Sequence, residues 1–162
     1  MNRSTRTRQL VRGSVIAALY VALTLLSAIF GLSSGAIQLR LSEALTVLPY
    51  FLPEAVPGLA IGCFLANLLT TANPLDLIFG TLATLLGAVG ARLLRRWPYL
   101  VPLPTVLANA AIIPPVLIFG FGVPEGYPFL LATVTAGEVL SAYALGLLLL
   151  VTLKKRGKGL FT

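Results

Sequence analysis

IQLRLSEALTVLPYFLPEAVPGLAIGCFLANLL, residues 37–69, sets Arg40, Glu43, Glu54 and Asn67 among almost continuous apolar residues. The whole chain of 162 residues is 57% hydrophobic and 10% charged, far below the roughly 25% charged residues of a soluble domain. It therefore reads as an integral membrane protein, and as a single domain over residues 1–162. In that setting each ionisable group held in hydrocarbon is unfavourable by roughly 2.5–3.5 kcal/mol. A pairing of Arg40 with Glu43, a substrate cavity or a protein partner would each compensate for it.

A net charge of +7 would suggest nucleic acid in a soluble protein. Here the cations fall in three clusters: Arg3, Arg6, Arg8 and Arg12; Arg92, Arg95 and Arg96; Lys154, Lys155, Arg156 and Lys158. Such clusters flanking apolar segments set topology, and no nucleic-acid partner is expected. Residues 1–8 and 154–162 are then basic cytoplasmic ends. The apolar run from Gly13 to Phe30 is long enough to span, which favours a first membrane helix over a cleaved signal peptide. No histidine is present and the one cysteine, Cys63, sits in an apolar run. Metal and redox chemistry and a Ser-His hydrolase are disfavoured, neither a metal nor a cofactor is expected, and the chain is not expected to be an enzyme.

Six helices are expected. The first runs from Gln9 to Phe30 and ends at Gly31, followed by a Ser33, Ser34, Gly35 breaker and a short extended stretch to Leu41. The second starts at Ser42 as N-cap with Glu43 in its first turn and stops near Pro49 to Pro53. At roughly 11 residues and about 1.5 Å each, it is about half a bilayer long. The third covers Glu54 to Leu69, the fourth Asp76 to Leu94, the fifth the proline-rich Tyr99 to Phe121, and the last Pro128 to Leu153. Cytoplasmic arginines before the first helix and after the fourth require an even number of passes between them. The short second helix must therefore count, giving six passes with both termini cytoplasmic.

Small residues at helical spacing, Ala18 and Ala22, Gly58 and Gly62, and Gly80, Ala83, Thr84, Gly87 and Ala91, let helices approach closely. The alanine pair serves either packing within the bundle or an external docking surface. Tyr50, Phe51, Trp97 and Tyr99 suit the interfacial aromatic belt, and Glu54 and Glu125 are expected to be solvated. The remaining polar groups are the binding candidates: Arg40, Glu43 and Asp76 near the external face, and Asn67, Thr81, Asn109, Glu138, Ser141 and Tyr143 within the span. Asp76 is equally suited to capping the fourth helix. Glu138 falls about 10 residues, hence about 15 Å, down the last helix. It is either bonded to Asn109 or to backbone freed by Pro114 and Pro115, or it anchors a ligand at the floor of an externally open pocket.

The strings at residues 37–69 and NPLDLIFGTLATLLGA, residues 73–88, resemble the QueT family, most closely at Arg40, Glu43, Pro49, Pro53, Gly58, Gly62, Asn67, Asp76, Gly80, Thr81 and Thr84. The resemblance runs from the first helix to about Leu150. It implies a substrate-binding S component of an energy-coupling factor (ECF) importer of queuosine precursors in a prokaryotic plasma membrane. Its partners would be a transmembrane coupling protein and two ATPase subunits, with a small-residue motif placed like Ala18 and Ala22 contacting the coupling protein. A 7-deazaguanine base presents two adjacent N–H donors that one carboxylate can accept together. Depth and chemistry favour Glu138 for that role, Asn109 or Asn67 for the ring carbonyl, and Asp76 or Glu43 beside an aminomethyl group. An S component for another vitamin and a self-standing channel or structural membrane protein are the alternatives.

Overall fold

The computed structural model describes residues 3–32 and 39–156, and among them every regular element is helical. Six helical segments follow one another: α1 (Arg3–Ile29), α2 (Leu41–Tyr50), α3 (Ala55–Thr70), α4 (Asp76–Leu93), α5 (Leu103–Phe121) and α6 (Tyr127–Arg156). α1, α4, α5 and α6 are long and apolar enough to cross a membrane, and α3 is a shorter apolar helix. Many large apolar side chains face outward, among them Ile61, Leu69, Leu107, Phe119 and Leu148. On a bilayer-embedded bundle this is the lipid-facing surface. The expected breaker and extended stretch at residues 33–38 lie outside the described residues.

The short second helix differs from its expected form. Leu41–Tyr50 is wound as a 3₁₀ helix, with Arg40 rather than Ser42 at its N-cap. A 3₁₀ helix rises about 2.0 Å per residue, so these 10 residues extend about 20 Å where an α-helix would extend about 15 Å. The tighter winding lets so short a segment extend over about two-thirds of a hydrocarbon core roughly 30 Å thick. It is the most enclosed element, with Ser42, Glu43, Leu45, Thr46, Val47, Leu48 and Pro49 all buried. α1, α4 and α6 pack around it. Its C-terminal end is held by Arg92, whose guanidinium donates to the carbonyls of Pro49 at 3.0 Å and Tyr50 at 3.4 Å. Arg92 thus caps a helix in addition to carrying topological charge. Tyr50 and Phe51 pack edge to face at 4.7 Å beside the buried Val47, Val101 and Leu150. They serve this packing before any belt, whereas Trp97 and Tyr99 are exposed.

The extensive α1–α3 packing rests on glycine. A Cβ on Gly58 would stand 2.6 Å from the Gly13 carbonyl oxygen, and one on Gly62 would stand 2.8 Å from Tyr20 Cβ and 2.9 Å from the Ala17 carbonyl oxygen. Gly87 likewise admits Thr105 of α5. The close face of α1 is therefore Gly13, Ala17 and Tyr20, and Ala18 and Ala22 are exposed on another side of the helix.

Ion pairs and caps tie the two ends. At one end Arg12 and Glu54 lie 3.7 Å apart; Glu54 is nearly enclosed rather than solvated, because the α2–α3 link folds under the start of α1. At the other end Asn73 accepts from the Leu75 amide at 3.0 Å and donates to the Gly120 carbonyl at 2.6 Å. Asn73, ahead of Pro74, is thus the N-terminal cap expected of Asp76. Glu125 is exposed, as expected.

Gly58→Val is expected to destabilise the protein by about 1–3 kcal/mol through overpacking against the α1 backbone. Thermal unfolding in detergent measures this. Gly126→Ala, whose added Cβ meets only Pro128 at 3.8 Å, is expected to leave the transition unmoved.

Candidate functional site

Beneath the end of the bundle opposite the Arg12–Glu54 pair, five of the expected site residues converge. Arg40, at the mouth of α2, lies 3.7 Å from the Asp76 carboxylate at the start of α4. Asp76 Oδ2 also accepts from the Thr71 hydroxyl at 3.0 Å. Arg40 and Asp76 line a cavity of about 320 Å³ with Thr24, Thr71, Ile113 and Phe121. Arg40 and Ile113 also line a second, inner cleft with Asn109, Val134 and Glu138. That inner cleft is closed down to about 10 Å³, so the outer chamber and the inner polar cluster meet at the Arg40 side chain.

Arg40 does not form its principal pair with Glu43. Three residues on, Glu43 points to α1, where the Tyr20 hydroxyl donates to its Oε1. A 3₁₀ helix advances about 120° per residue, which suits i, i+3 contact, yet Arg40 sits at the cap and reaches across to α4. Tyr20 is buried with Glu43, and its oxygen is also 3.5 Å from Thr84 Oγ1. Thr84 donates to Cys63 Sγ at 3.2 Å, so Cys63 is buried as expected but takes part in a polar chain. One turn along α1, Thr24 donates to Ser42 Oγ at 2.8 Å, and Ser27 Oγ accepts from the Leu41 amide at 3.0 Å. Three polar side chains of α1 thus hold the start of α2.

Glu138 closes the cluster from α6. Asn109 lies within polar reach of both the Glu43 and the Glu138 carboxyl groups. Glu43 Oε2 and Glu138 Oε2 are buried and have no hydrogen-bond partner among the described residues. Glu138 immediately precedes a π-helical stretch, Val139–Leu145, and Asp76 opens another, Asp76–Gly80. Each wider turn breaks the regular i→i+4 ladder beside a site carboxylate, a placement common at functional sites.

The remaining expected site residues lie elsewhere. Asn67 is buried and brackets the α3–α4 turn, donating to the Asp76 carbonyl at 3.1 Å and to Cys63 Sγ at 3.7 Å. Its amide holds backbone loosened by the π turn and does not line either cavity. Thr81 has a buried, unpartnered hydroxyl outside both cavities, and Tyr143 is half-buried without lining them. Ser141 donates to the Gly137 carbonyl of its own helix. Sequence reading passed over Tyr20, Thr24 and Thr71; the signal available was a tyrosine and a threonine four apart on an otherwise apolar helix.

On the flank of the bundle, α1 and α3 enclose an apolar groove of about 770 Å³ that includes Ala18, Ser14, Gly58 and Ile61. Ala22, one turn on, is exposed on the same helix.

Two carboxyl groups with unpartnered oxygens, an amide and a guanidinium thus gather below a chamber in a multi-pass helical membrane protein, a constellation that suits a polar solute. The chain belongs to the QueT transporter family, whose model matches residues 10–155. Over 83 residues, 51% of this chain, it is 35% identical to the queuosine precursor transporter QueT of Lactococcus lactis subsp. cremoris (strain MG1363), covering 48% of that protein. The chain thus spans about half the length of the curated relative it matches. No solved structure matches.

Tyr20→Phe keeps the ring but leaves Glu43 Oε1 without its donor, and is expected to destabilise the fold by about 1–3 kcal/mol. A lower midpoint of thermal unfolding checks this; an unchanged midpoint would mean that Glu43 finds another donor.

Proposed function

We propose that this protein is the substrate-capture S component of an ECF-type importer, binding a queuosine precursor at the Arg40, Glu43, Asn109 and Glu138 cluster. The observation that carries the reading is the pair of buried, unpartnered oxygens, Glu43 Oε2 and Glu138 Oε2, on two carboxyl groups that both lie within polar reach of Asn109. A buried acceptor left unsatisfied is unfavourable by about 1–3 kcal/mol, and adjacent N–H donors on a flat base would relieve it. The name of the Lactococcus lactis relative points to the same ligand class.

In this reading Glu138 accepts from the paired donors of the base and Asn109 answers its ring carbonyl. Glu43 and Arg40 complete the polar wall, and Asp76 holds Arg40 at the mouth. The basic residues at the Arg12–Glu54 end support a cytoplasmic position for that end and both termini, with the chamber opening outward in this reading. The small-residue face at Ala18 and Ala22 docks on the transmembrane coupling protein, and two ATPase subunits supply the energy. Exposure of that face, together with the neighbouring groove along α3, supports the docking role. Small side chains permit the close helix approach that association inside a bilayer requires.

Glu138→Gln turns an acceptor of two donors into one acceptor and one donor, and is expected to weaken binding of the aminomethyl 7-deazaguanine base about tenfold or more. Isothermal titration of the purified protein measures it, and unaltered affinity would remove Glu138 from the site. Wild-type protein that binds no 7-deazaguanine base but binds another vitamin would retain the transporter and discard the substrate.

Ala18→Trp is expected to abolish uptake by the assembled transporter while leaving ligand affinity intact. Undiminished uptake would sink the docking assignment, and flux through the isolated chain in liposomes would favour a channel.

A further inference from the structure

The groove of about 770 Å³ between α1 and α3 lies apart from the polar cluster. Arg6, Gln9 and Glu54 stand toward one end of it, and Leu10, Val21, Ile61 and Leu65 line its apolar length. Leu10, Ile61 and Leu65 are exposed to whatever surrounds the bundle. From Arg6 to Val21 the groove follows α1 for about 22 Å, at about 1.5 Å per residue. One leaflet of a bilayer offers about 15 Å of hydrocarbon and about 5–7 Å of headgroup layer. With Arg6 at headgroup level, the apolar length of the groove therefore runs through a single leaflet.

The polar end carries net positive charge. Glu54, the acidic residue of the groove, is already paired with Arg12 at 3.7 Å. Arg6 has no acidic partner among the described residues, and the exposed Arg3, three residues before it, shares its face of the helix. Gln9 adds an amide donor beside Arg6. A guanidinium presents a planar fork that receives two phosphate oxygens at once. A neutral apolar partner would fill the length of the groove and leave that fork unused, whereas a phospholipid with an anionic headgroup complements both parts.

We propose that this groove binds one anionic phospholipid, its phosphate received by Arg6 and Gln9 and an acyl chain laid along Leu10, Ile61 and Leu65. The proposal goes beyond the reading of the chain as an S component and does not rest on it. Ala18 lines the same groove, so docking of the coupling protein in the proposed importer would displace the lipid.

The test is native mass spectrometry of the purified full chain in detergent, titrated with phosphatidylglycerol and with phosphatidylcholine of identical acyl chains. The expected result is one retained phosphatidylglycerol per chain, favoured over phosphatidylcholine by about fivefold or more, the order of attraction one arginine supplies at a membrane surface. Arg6→Gln is expected to remove that preference. Arg95→Gln, which changes a cation near Arg92 at the same end of the bundle but outside the groove, is expected to keep it. Ala18→Trp fills the groove and is expected to lose the retained lipid. Equal retention of the two lipids by the wild type would overturn the proposal without any variant being needed. Equal loss of preference in Arg6→Gln and Arg95→Gln would overturn it in favour of diffuse surface charge, and undiminished retention by Ala18→Trp would place the lipid outside the groove.

Discussion

The bond from the Tyr20 hydroxyl to Glu43 Oε1 is the constraint on which the rest of this structure depends. A carboxyl group at 1% exposure inside an apolar bundle must be held by donors, and α1 supplies one from a position that the Gly62 notch makes possible. Because a Cβ at Gly62 would collide with Tyr20 Cβ and the Ala17 backbone, α3 can approach α1 only with glycine there. That approach fixes Tyr20, Tyr20 fixes Glu43, and the 3₁₀ winding of α2 carries the geometry on to Arg40. Thr24 and Ser27 repeat the same connection at the start of α2.

The same helix therefore has two faces with different duties. Gly13, Ala17, Tyr20 and Thr24 look into the bundle, whereas Ala18 and Ala22 look out. In the proposed importer one face touches the coupling protein and the other holds a ligand-binding carboxylate.

Closure of the site follows from the same inventory. The inner cleft is too small for any ligand while Arg40 stands at its mouth paired with Asp76, and the outer chamber stops at the same side chain. One oxygen of each carboxyl group beyond it, on Glu43 and on Glu138, has no hydrogen-bond partner among the described residues. The two π turns, at Asp76 and after Glu138, lie on the helices that bring two of the three carboxyl groups to this point.

Composition and charge placement by themselves determined that the chain is a multi-pass helical membrane protein, because apolar runs with basic flanks have few other physical solutions. They also located most of the helices, and a carboxylate as deep as Glu138 marked itself by its unfavourable position. Particular pairings were decided only by the tertiary structure. Arg40 and Glu43 are neighbours at helical spacing, yet one is drawn to Asp76, 36 residues away in sequence, and the other to Tyr20, 23 residues before it. Asn67 reads as a ligand group and is instead the bracket of a turn. Sequence spacing describes contacts along one helix, whereas buried polar groups find partners across helices. Which helix lies across is set by where glycine allows backbones to meet.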